Sequence, residues 1–158
     1  MLSRPLWPLL TAFASGAMLA AAHAFQRFGG LHPCPLCLDQ RNWHWAVVAV
    51  SLAGFLLTRW KPTFARWVII AIGIVLLGSF AQAAFHVAVE QHWVIYRCEA
   101  DIDLDNLAFD VNAAVIAPQC DQIAWSLLGI SMAGYNAIIS LILALASFAV
   151  ALAPERKP

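Results

Sequence analysis

The chain has 158 residues, of which 62% are hydrophobic and only 11% are charged, and its formal net charge is zero. Its mean hydropathy of +0.75 is too high for an ordinary water-soluble domain. It contains no basic block that could follow a phosphate backbone, so we expect no nucleic-acid partner. These properties predict one integral membrane domain over residues 1–158.

Four apolar blocks follow one another along the chain, each near the roughly 20 residues that a helix needs to cross the hydrocarbon core. Helices are the spanning form expected for blocks of this length, because unpaired backbone groups are not tolerated in lipid. The sequence predicts an all-α integral membrane protein, an antiparallel four-transmembrane-helix bundle with helices at about 6–28, 42–58, 64–89 and 123–152.

The first apolar block also has features of a secretory signal, because Arg4 precedes it and residues 22–24 read A-H-A, an A-x-A cleavage site. Apolar residues continue past this site through Phe25 and Phe28. Cleavage would leave three helices, with the two chain ends on opposite sides of the membrane. We therefore expect the block to be retained as the first helix.

Basic residues are distributed unevenly between the two sides of this arrangement. Six of the nine lie on the side that holds both chain termini, which the positive-inside rule makes cytoplasmic: Arg4, Arg59, Lys61, Arg66, Arg156 and Lys157. The opposite side holds two loops, 29–41 and 90–122, and all four cysteines lie in them. That side is expected to face an oxidising compartment.

The second of these loops is acidic and has its own apolar pattern. Five apolar residues recur at helical spacing, while the acidic residues lie largely on other faces. The pattern predicts a short helix in the plane of the interface, and an irregular loop is the alternative. The apolar residues are Leu104, Leu107, Ala108, Val111 and Val115.

The four cysteines form two groups, Cys34 and Cys37 within C-P-L-C, and Cys98 with Cys120 in the acidic loop. Two thiols separated by two residues close a small disulfide and readily yield a thiolate when reduced, which is typical of exchange sites. Arg41 follows Cys37 by four residues, so one helical turn would bring its guanidinium beside that thiolate. Two dithiols on one membrane face predict a disulfide relay.

Other chemistry can explain four cysteines. Two structural disulfides that only brace the outer loops would also give an even number. Four thiolates could bind zinc, but structural zinc sites usually contain two closely spaced pairs, and Cys98 and Cys120 are far apart; we expect no metal. Haem attachment is excluded because Leu38 follows Cys37 where a histidine is required. A relay enzyme and a non-catalytic protein with braced loops therefore remain open.

Three segments occur together and resemble one known family. They are C-P-L-C with Arg41 four residues on, F-H-V-A-V-E at residues 85–90, and C-D-Q-I-A-W-S-L-L-G-I-S at residues 120–131. The set resembles the bacterial inner-membrane disulfide-bond formation protein B (DsbB) family over nearly the whole chain. The resemblance is specific because the cysteine pairs, the arginine and the C-x-x-x-x-W-x-x-x-G spacing recur together.

The resemblance implies a quinone-dependent protein-dithiol oxidoreductase that sustains disulfide bond formation, with both cysteine pairs in the periplasm. Electrons would pass from a periplasmic DsbA-like thiol oxidase to Cys98 and Cys120, then to Cys34 and Cys37, and finally to ubiquinone or menaquinone in the lipid bilayer. Cys98 would form the mixed disulfide with the DsbA-like partner, Cys120 would be its resolving partner, and Cys37 would face the quinone.

The resemblance also implies that Arg41 and His86 lie beside the quinone ring. Arg41 would hold negative charge on the quinone oxygen, and His86 would donate to an oxygen or pass a proton. Glu90 departs from many members of the family, in which an amide is common at that position. His44 has no motif support and is left outside the predicted site, and Asn136 is expected to satisfy a neighbouring helix.

Overall fold

The computed structural model describes residues 4–96, 98 and 120–154. These residues form four long helices, α1 Trp7–Gly29, α2 Pro35–Trp60, α3 Ala65–Glu90 and α4 Met132–Leu152. Short 3-10 turns at Arg4–Leu6 and Pro62–Phe64 precede α1 and α3, and an antiparallel hairpin, β1 Ser126–Leu127 and β2 Ile130–Ser131, precedes α4. The predicted interfacial helix at 104–115 lies outside the described residues.

Among the described residues, three helical segments are long and apolar enough to cross a membrane, namely Arg4–Gly29, Pro62–Glu90 and Met132–Leu152. The predicted all-α membrane class therefore agrees with the structure. Helix α2 is as long as α3, at 26 residues, but it is not one of these three apolar segments. Polar side chains fill its first turns and Arg59 lies in its last, which lowers its mean hydropathy. The prediction of four spans depends on α2 and stays a prediction.

Helix α2 begins at Pro35, whereas the sequence predicted a start at 42. Proline suits the first helical position, because the N–H that it lacks would have no partner there. Cys34 is the N-cap, and its Sγ accepts a hydrogen bond from the Cys37 backbone N–H at 3.2 Å. Gly30, in the left-handed conformation, caps the end of α1, and the connection to α2 is short. The C-P-L-C motif therefore lies at the N-terminus of a helix and not in a long loop.

Helix α4 begins at Met132, whereas the sequence predicted a start at 123. Leu128 and Gly129 have φ values of 52° and 79°, as both central residues of a two-residue hairpin turn of the primed type do. A helix cannot continue through two left-handed residues. Ser131 then caps α4, and its Oγ accepts from the Gly134 N–H at 3.1 Å.

Consecutive helices run antiparallel, as the contacts near their ends show. Arg41 near the start of α2 donates to the Ala22 carbonyl near the end of α1, and Gln40 bonds to His86 near the end of α3. Asn136 near the start of α4 donates to the same Gln40. The ends of α1 and α3 and the starts of α2 and α4 therefore meet at one end of the bundle.

The opposite end and the middle of the bundle are held by a few polar bonds within apolar packing. Arg4 donates to backbone carbonyls at the end of α4, and Trp7 donates from Nε1 to Ser147 Oγ at 2.9 Å. A Cβ added at Gly54 would collide with Val68, so α2 and α3 approach closely there. The central apolar cluster comprises Val47, Val68, Ile72, Leu76 and Ala144.

Candidate functional site

A cavity of about 370 Å³ opens where the starts of α2 and α4 meet the ends of α1 and α3. Its volume lies within the range typical of small-molecule sites. Aromatic rings line part of its mostly apolar wall, with ring centroids 5.1 Å apart for Phe25 and Trp125 and 6.4 Å apart for Trp125 and Tyr135. Polar or reactive side chains converge on it: Cys34, Cys37, Gln40, Arg41, His44, His86, Glu90 and Asn136.

One face of α2 supplies half of these converging side chains. Cys37, Gln40, Arg41 and His44 occupy positions i, i+3, i+4 and i+7, which lie on one side of a helix. His44, left outside the predicted site, is buried and lines the cavity. The signal for Gln40 and His44 was this helical spacing, and it was missed because the predicted helix began only at residue 42.

The first cysteine pair lies at the N-terminus of α2. Cys34 and Cys37 are joined as a disulfide, with Cα atoms 5.0 Å apart. Cys34 is buried and Cys37 is half-buried, and both line the cavity. The Cys34 sulfur already accepts the Cys37 N–H, and the positive end of a helix dipole favours negative charge at this place. The arrangement therefore stabilises a thiolate at Cys34 after reduction.

The second pair packs directly against the first. Cys98 and Cys120 form a disulfide with Cα atoms 5.7 Å apart. Cys120 is only 1% exposed, whereas Cys98 is half-buried. Cys34, Leu36, Val89 and Cys120 form one buried cluster, and Cys37 and Cys98 border it. All four cysteines therefore belong to one contiguous group.

His86 joins the first pair to the polar residues of the cavity. Its Nε2 lies 3.7 Å from Cys34 Sγ, and its Nδ1 lies 2.6 Å from Gln40 Nε2. The Nε2 atom is also 3.9 Å from Glu90 Oε1. His86, a predicted site residue, thus contacts the sulfur of Cys34 directly.

Arg41 lies at the cavity wall and is bonded to α1. Its Nη1 donates to Gln26 Oε1 at 2.6 Å, and its Nη2 donates to the Ala22 carbonyl at 3.2 Å. These two bonds use part of the five N–H donors of a guanidinium. Arg41 and Cys37 line the same cavity, so its positive charge is fixed close to the first cysteine pair.

Glu90 is a buried carboxyl group at the end of α3. It accepts a hydrogen bond from Ser131 Oγ at 2.5 Å. Because Ser131 also caps α4, this contact joins the end of α3 to the start of α4 beside the cavity. The sequence assigned no role to Glu90, since nothing local indicates that Ser131 faces it.

Three possible metal ligands also lie together. The ligand atoms of Cys34, Cys37 and His86 are all within 4.8 Å of one another. Metal binding requires cysteine thiolates, which the disulfide removes. That the protein works without a metal stays a prediction.

Comparison with known sequences identifies the family. The family model described as Disulfide bond formation protein DsbB matches residues 3–150. The chain belongs to the DsbB family. The match extends from before α1 into the last turn of α4 and includes both cysteine pairs. The resemblance predicted from the three segments is thereby confirmed, and this DsbB-family chain is a disulfide-forming oxidoreductase of the inner membrane.

Several bacterial proteins named Disulfide bond formation protein B are similar to this DsbB-family chain. The protein of Nitrosospira multiformis is 28% identical over 98% of this chain and 96% of its own length. That of Marinobacter nauticus is 30% identical over 94% of this chain and 92% of its own length. That of Cupriavidus metallidurans is 29% identical over 87% and 86%, respectively. No solved structure matches the chain significantly.

Proposed function

We propose that the protein is a thiol:quinone oxidoreductase that reoxidises a periplasmic DsbA-like dithiol oxidase. The observation that carries the proposal is the buried cluster in which Cys34 and Cys120 pack together beside an apolar cavity. Two disulfides that only braced separate loops would need neither this contact nor the cavity. The packing therefore supports a relay over the non-catalytic alternative.

The first half of the proposed exchange begins at Cys98. A thiolate of the DsbA-like partner attacks this half-buried sulfur, forms a mixed disulfide with it and releases Cys120 as a thiolate. Cys120 then attacks Cys34, its neighbour in the buried cluster. The new bond joins Cys120 to Cys34, and Cys37 leaves as a thiolate at the cavity wall.

The second half returns the outer pair to its oxidised form. The remaining thiol of the partner attacks its own sulfur in the mixed disulfide, so the partner departs oxidised and Cys98 becomes a thiolate. Cys98 attacks Cys120, re-forms the outer disulfide and releases Cys34 as a thiolate. The partner has lost two electrons and two thiol protons, and the Cys34 and Cys37 pair has gained two electrons.

The cavity residues fit a quinone. Such a molecule has a flat apolar ring and two oxygen acceptors, and the cavity offers aromatic walls together with the donors of Arg41, while His86 lines the same cavity. A bound quinone supplies the two-electron oxidant that restores the Cys34–Cys37 disulfide. Arg41 would hold an oxygen through its free donors, and its charge would favour negative charge there. The reduction potential of a DsbA-like couple is about −120 mV, so the final acceptor must have a higher potential.

In this proposal α2 crosses the membrane as a fourth span, both termini are cytoplasmic and both cysteine pairs are periplasmic. Two findings support the orientation. Six of the nine basic residues would lie on the cytoplasmic side. Arg4 and the end of α4 are bonded to each other at the end of the bundle opposite the cysteines.

Titration with a mild thiol reductant under anaerobic conditions distinguishes a relay enzyme from a protein whose disulfides only brace its loops. Thiol labelling and mass spectrometry would follow each pair in the purified protein. We expect at least one pair to be reduced by mild reductant and reoxidised when ubiquinone or menaquinone is added. Two pairs that resist reductant until the protein unfolds would contradict the proposal.

A further inference from the structure

A continuous chain of hydrogen bonds runs through the buried interior and ends at the reactive sulfur. Its successive heavy-atom distances are 3.1, 3.0, 2.6, 2.6 and 3.7 Å. Every member is less than 10% exposed, so the bonds form in a low-dielectric surrounding where unpaired polar groups are costly. The members in order are Ser79, Ser140, Asn136, Gln40, His86 and Cys34.

The direction of this chain is set at Asn136. Its Oδ1 accepts from Ser140 Oγ at 3.0 Å and lies 2.8 Å from His44 Nε2. His44 Nδ1 is buried and has no partner in the described part of the chain, and an orphaned N–H is costlier than an orphaned lone pair, so the His44 proton lies on Nε2 and is donated to the amide oxygen. With its oxygen held by two donors, the amide has its Nδ2 directed at Gln40, and it donates to Gln40 Oε1 at 2.6 Å.

The orientation of the Gln40 amide decides which nitrogen of His86 carries the proton. Because its Oε1 accepts from Asn136, its Nε2 is the atom that faces His86 Nδ1. An amide nitrogen only donates, so Nδ1 must accept. A neutral imidazole carries one proton, which must then lie on Nε2, the atom 3.7 Å from Cys34 Sγ.

We infer that Gln40 and Asn136 are positioning residues that hold the proton of His86 on Nε2, facing the Cys34 sulfur. Held in this way, the N–H of His86 faces two acceptors, the Cys120 backbone carbonyl and Cys34 Sγ, and the sulfur becomes the stronger acceptor when it is a thiolate. In the opposite tautomer a lone pair would face the sulfur and repel its negative charge. The consequence for catalysis rests on the proposed function, in which Cys34 is released as a thiolate when Cys98 attacks Cys120. The assignment of the His86 tautomer does not depend on that function.

Two substitutions of nearly unchanged side-chain shape should reverse the direction of the hydrogen bond between residue 40 and His86. In Gln40→Glu the ionised side chain is an acceptor only, so it would accept a hydrogen bond from a protonated His86 Nδ1. In Asn136→Asp the donor to Gln40 is lost, so the Gln40 amide should rotate and present its oxygen to His86. Both changes should therefore protonate Nδ1, although position 136 does not bond to His86 directly. Ser51→Ala is the matched control, because Ser51 is buried in α2 but bonds to Thr11.

The ¹⁵N spectrum of histidine-labelled full-length protein in nanodiscs reads the tautomer without any turnover. Substitution of each of the five histidines assigns the signals. We expect wild type and Ser51→Ala to show a proton on His86 Nε2 and an unprotonated Nδ1, and both reversing variants to show Nδ1 become protonated. A wild-type proton on Nδ1, or an unchanged His86 signal in either reversing variant, would overturn the inference.

The same variants have a kinetic consequence. Loss of a hydrogen bond to a charged group should slow oxidation of a reduced DsbA-like partner by about tenfold or more in Gln40→Glu. An unchanged rate alongside a shifted tautomer would overturn the role of the tautomer in exchange. Failure of the wild-type protein to oxidise the partner would instead contradict the proposed function and leave the tautomer result standing.

Discussion

The Nε2 atom of His86 lies 3.7 Å from the Sγ atom of Cys34, although 52 residues separate them in the sequence. The contact exists because the end of α3 packs beside the start of α2, where Cys34 is the N-cap. The sulfur therefore meets an imidazole on one side and the Cys37 N–H on another. Both groups favour negative charge on this sulfur.

Removal of either sulfur of the first pair should abolish quinone reduction. In Cys34→Ser or Cys37→Ser no dithiol forms beside the cavity, so no electron pair can be delivered there. Quinone absorbance under anaerobic conditions measures the effect, and protease protection controls for insertion. Normal quinone turnover by either variant would show that the first pair is not the electron donor.

The Cys120→Ser variant should trap the DsbA-like partner on Cys98. Cys98 is the more exposed sulfur of the outer pair, whereas Cys120 is 1% exposed. Without Cys120, residue 98 is a free thiol with no neighbour to resolve a bond to it, so a mixed disulfide formed when the Cys98 thiolate attacks the disulfide of an oxidised partner should accumulate. Non-reducing electrophoresis and mass spectrometry identify the attachment site. Attachment only to Cys34 or Cys37 would mean that the two pairs have exchanged roles.

Arg41→Ala should raise the KM for quinone more than it slows thiol exchange. The change removes a charge-assisted contact at the cavity, worth about 1.5–3 kcal/mol, or about a tenfold to hundredfold effect. Arg59→Ala is the matched control, since Arg59 lies in the last turn of α2. Steady-state kinetics in quinone and in partner separate the two half-reactions. Equal loss in both would indicate that Arg41 acts through folding.

Ser131→Ala should destabilise the protein. The substitution removes the N-cap of α4, worth about 1 kcal/mol, and leaves the buried Glu90 carboxyl group without its donor, at a cost of about 1–3 kcal/mol. Ser126→Ala is the control, because Ser126 is exposed and pairs with Ser131 only across the hairpin. Thermal unfolding in detergent should show a lower midpoint for the first variant alone. Equal midpoints would contradict the assigned role of Ser131.

The sequence identified the cysteine and arginine pattern at this end of the bundle, but it did not predict where the helices there begin. Cysteine spacing and the arginine one turn later are local patterns, and a local pattern is enough to indicate an exchange site. The predicted starts of α2 and α4 were wrong because the prediction followed hydropathy. A sulfur cap at Cys34 and a left-handed Leu128 decide these starts, and neither is a usual signal.

Contacts between distant segments could not be predicted from local patterns. Nothing near Asn136 indicates that its amide faces Gln40, 96 residues earlier. The sequence correctly suggested only that this residue would satisfy a neighbouring helix. The packing of Cys34 against Cys120 is likewise decided by how α2, α3 and the segment before α4 meet.

Anaerobic mixing of the purified protein with a reduced DsbA-like oxidase and ubiquinone or menaquinone tests whether electrons pass from the partner thiols to quinone. Quinone absorbance and the thiol content of the partner are followed together. We expect one quinone to be reduced for each partner dithiol oxidised, and none to be reduced by Cys34→Ser. Oxidation of the partner without loss of quinone, or no reaction by the wild-type protein, would contradict this expectation.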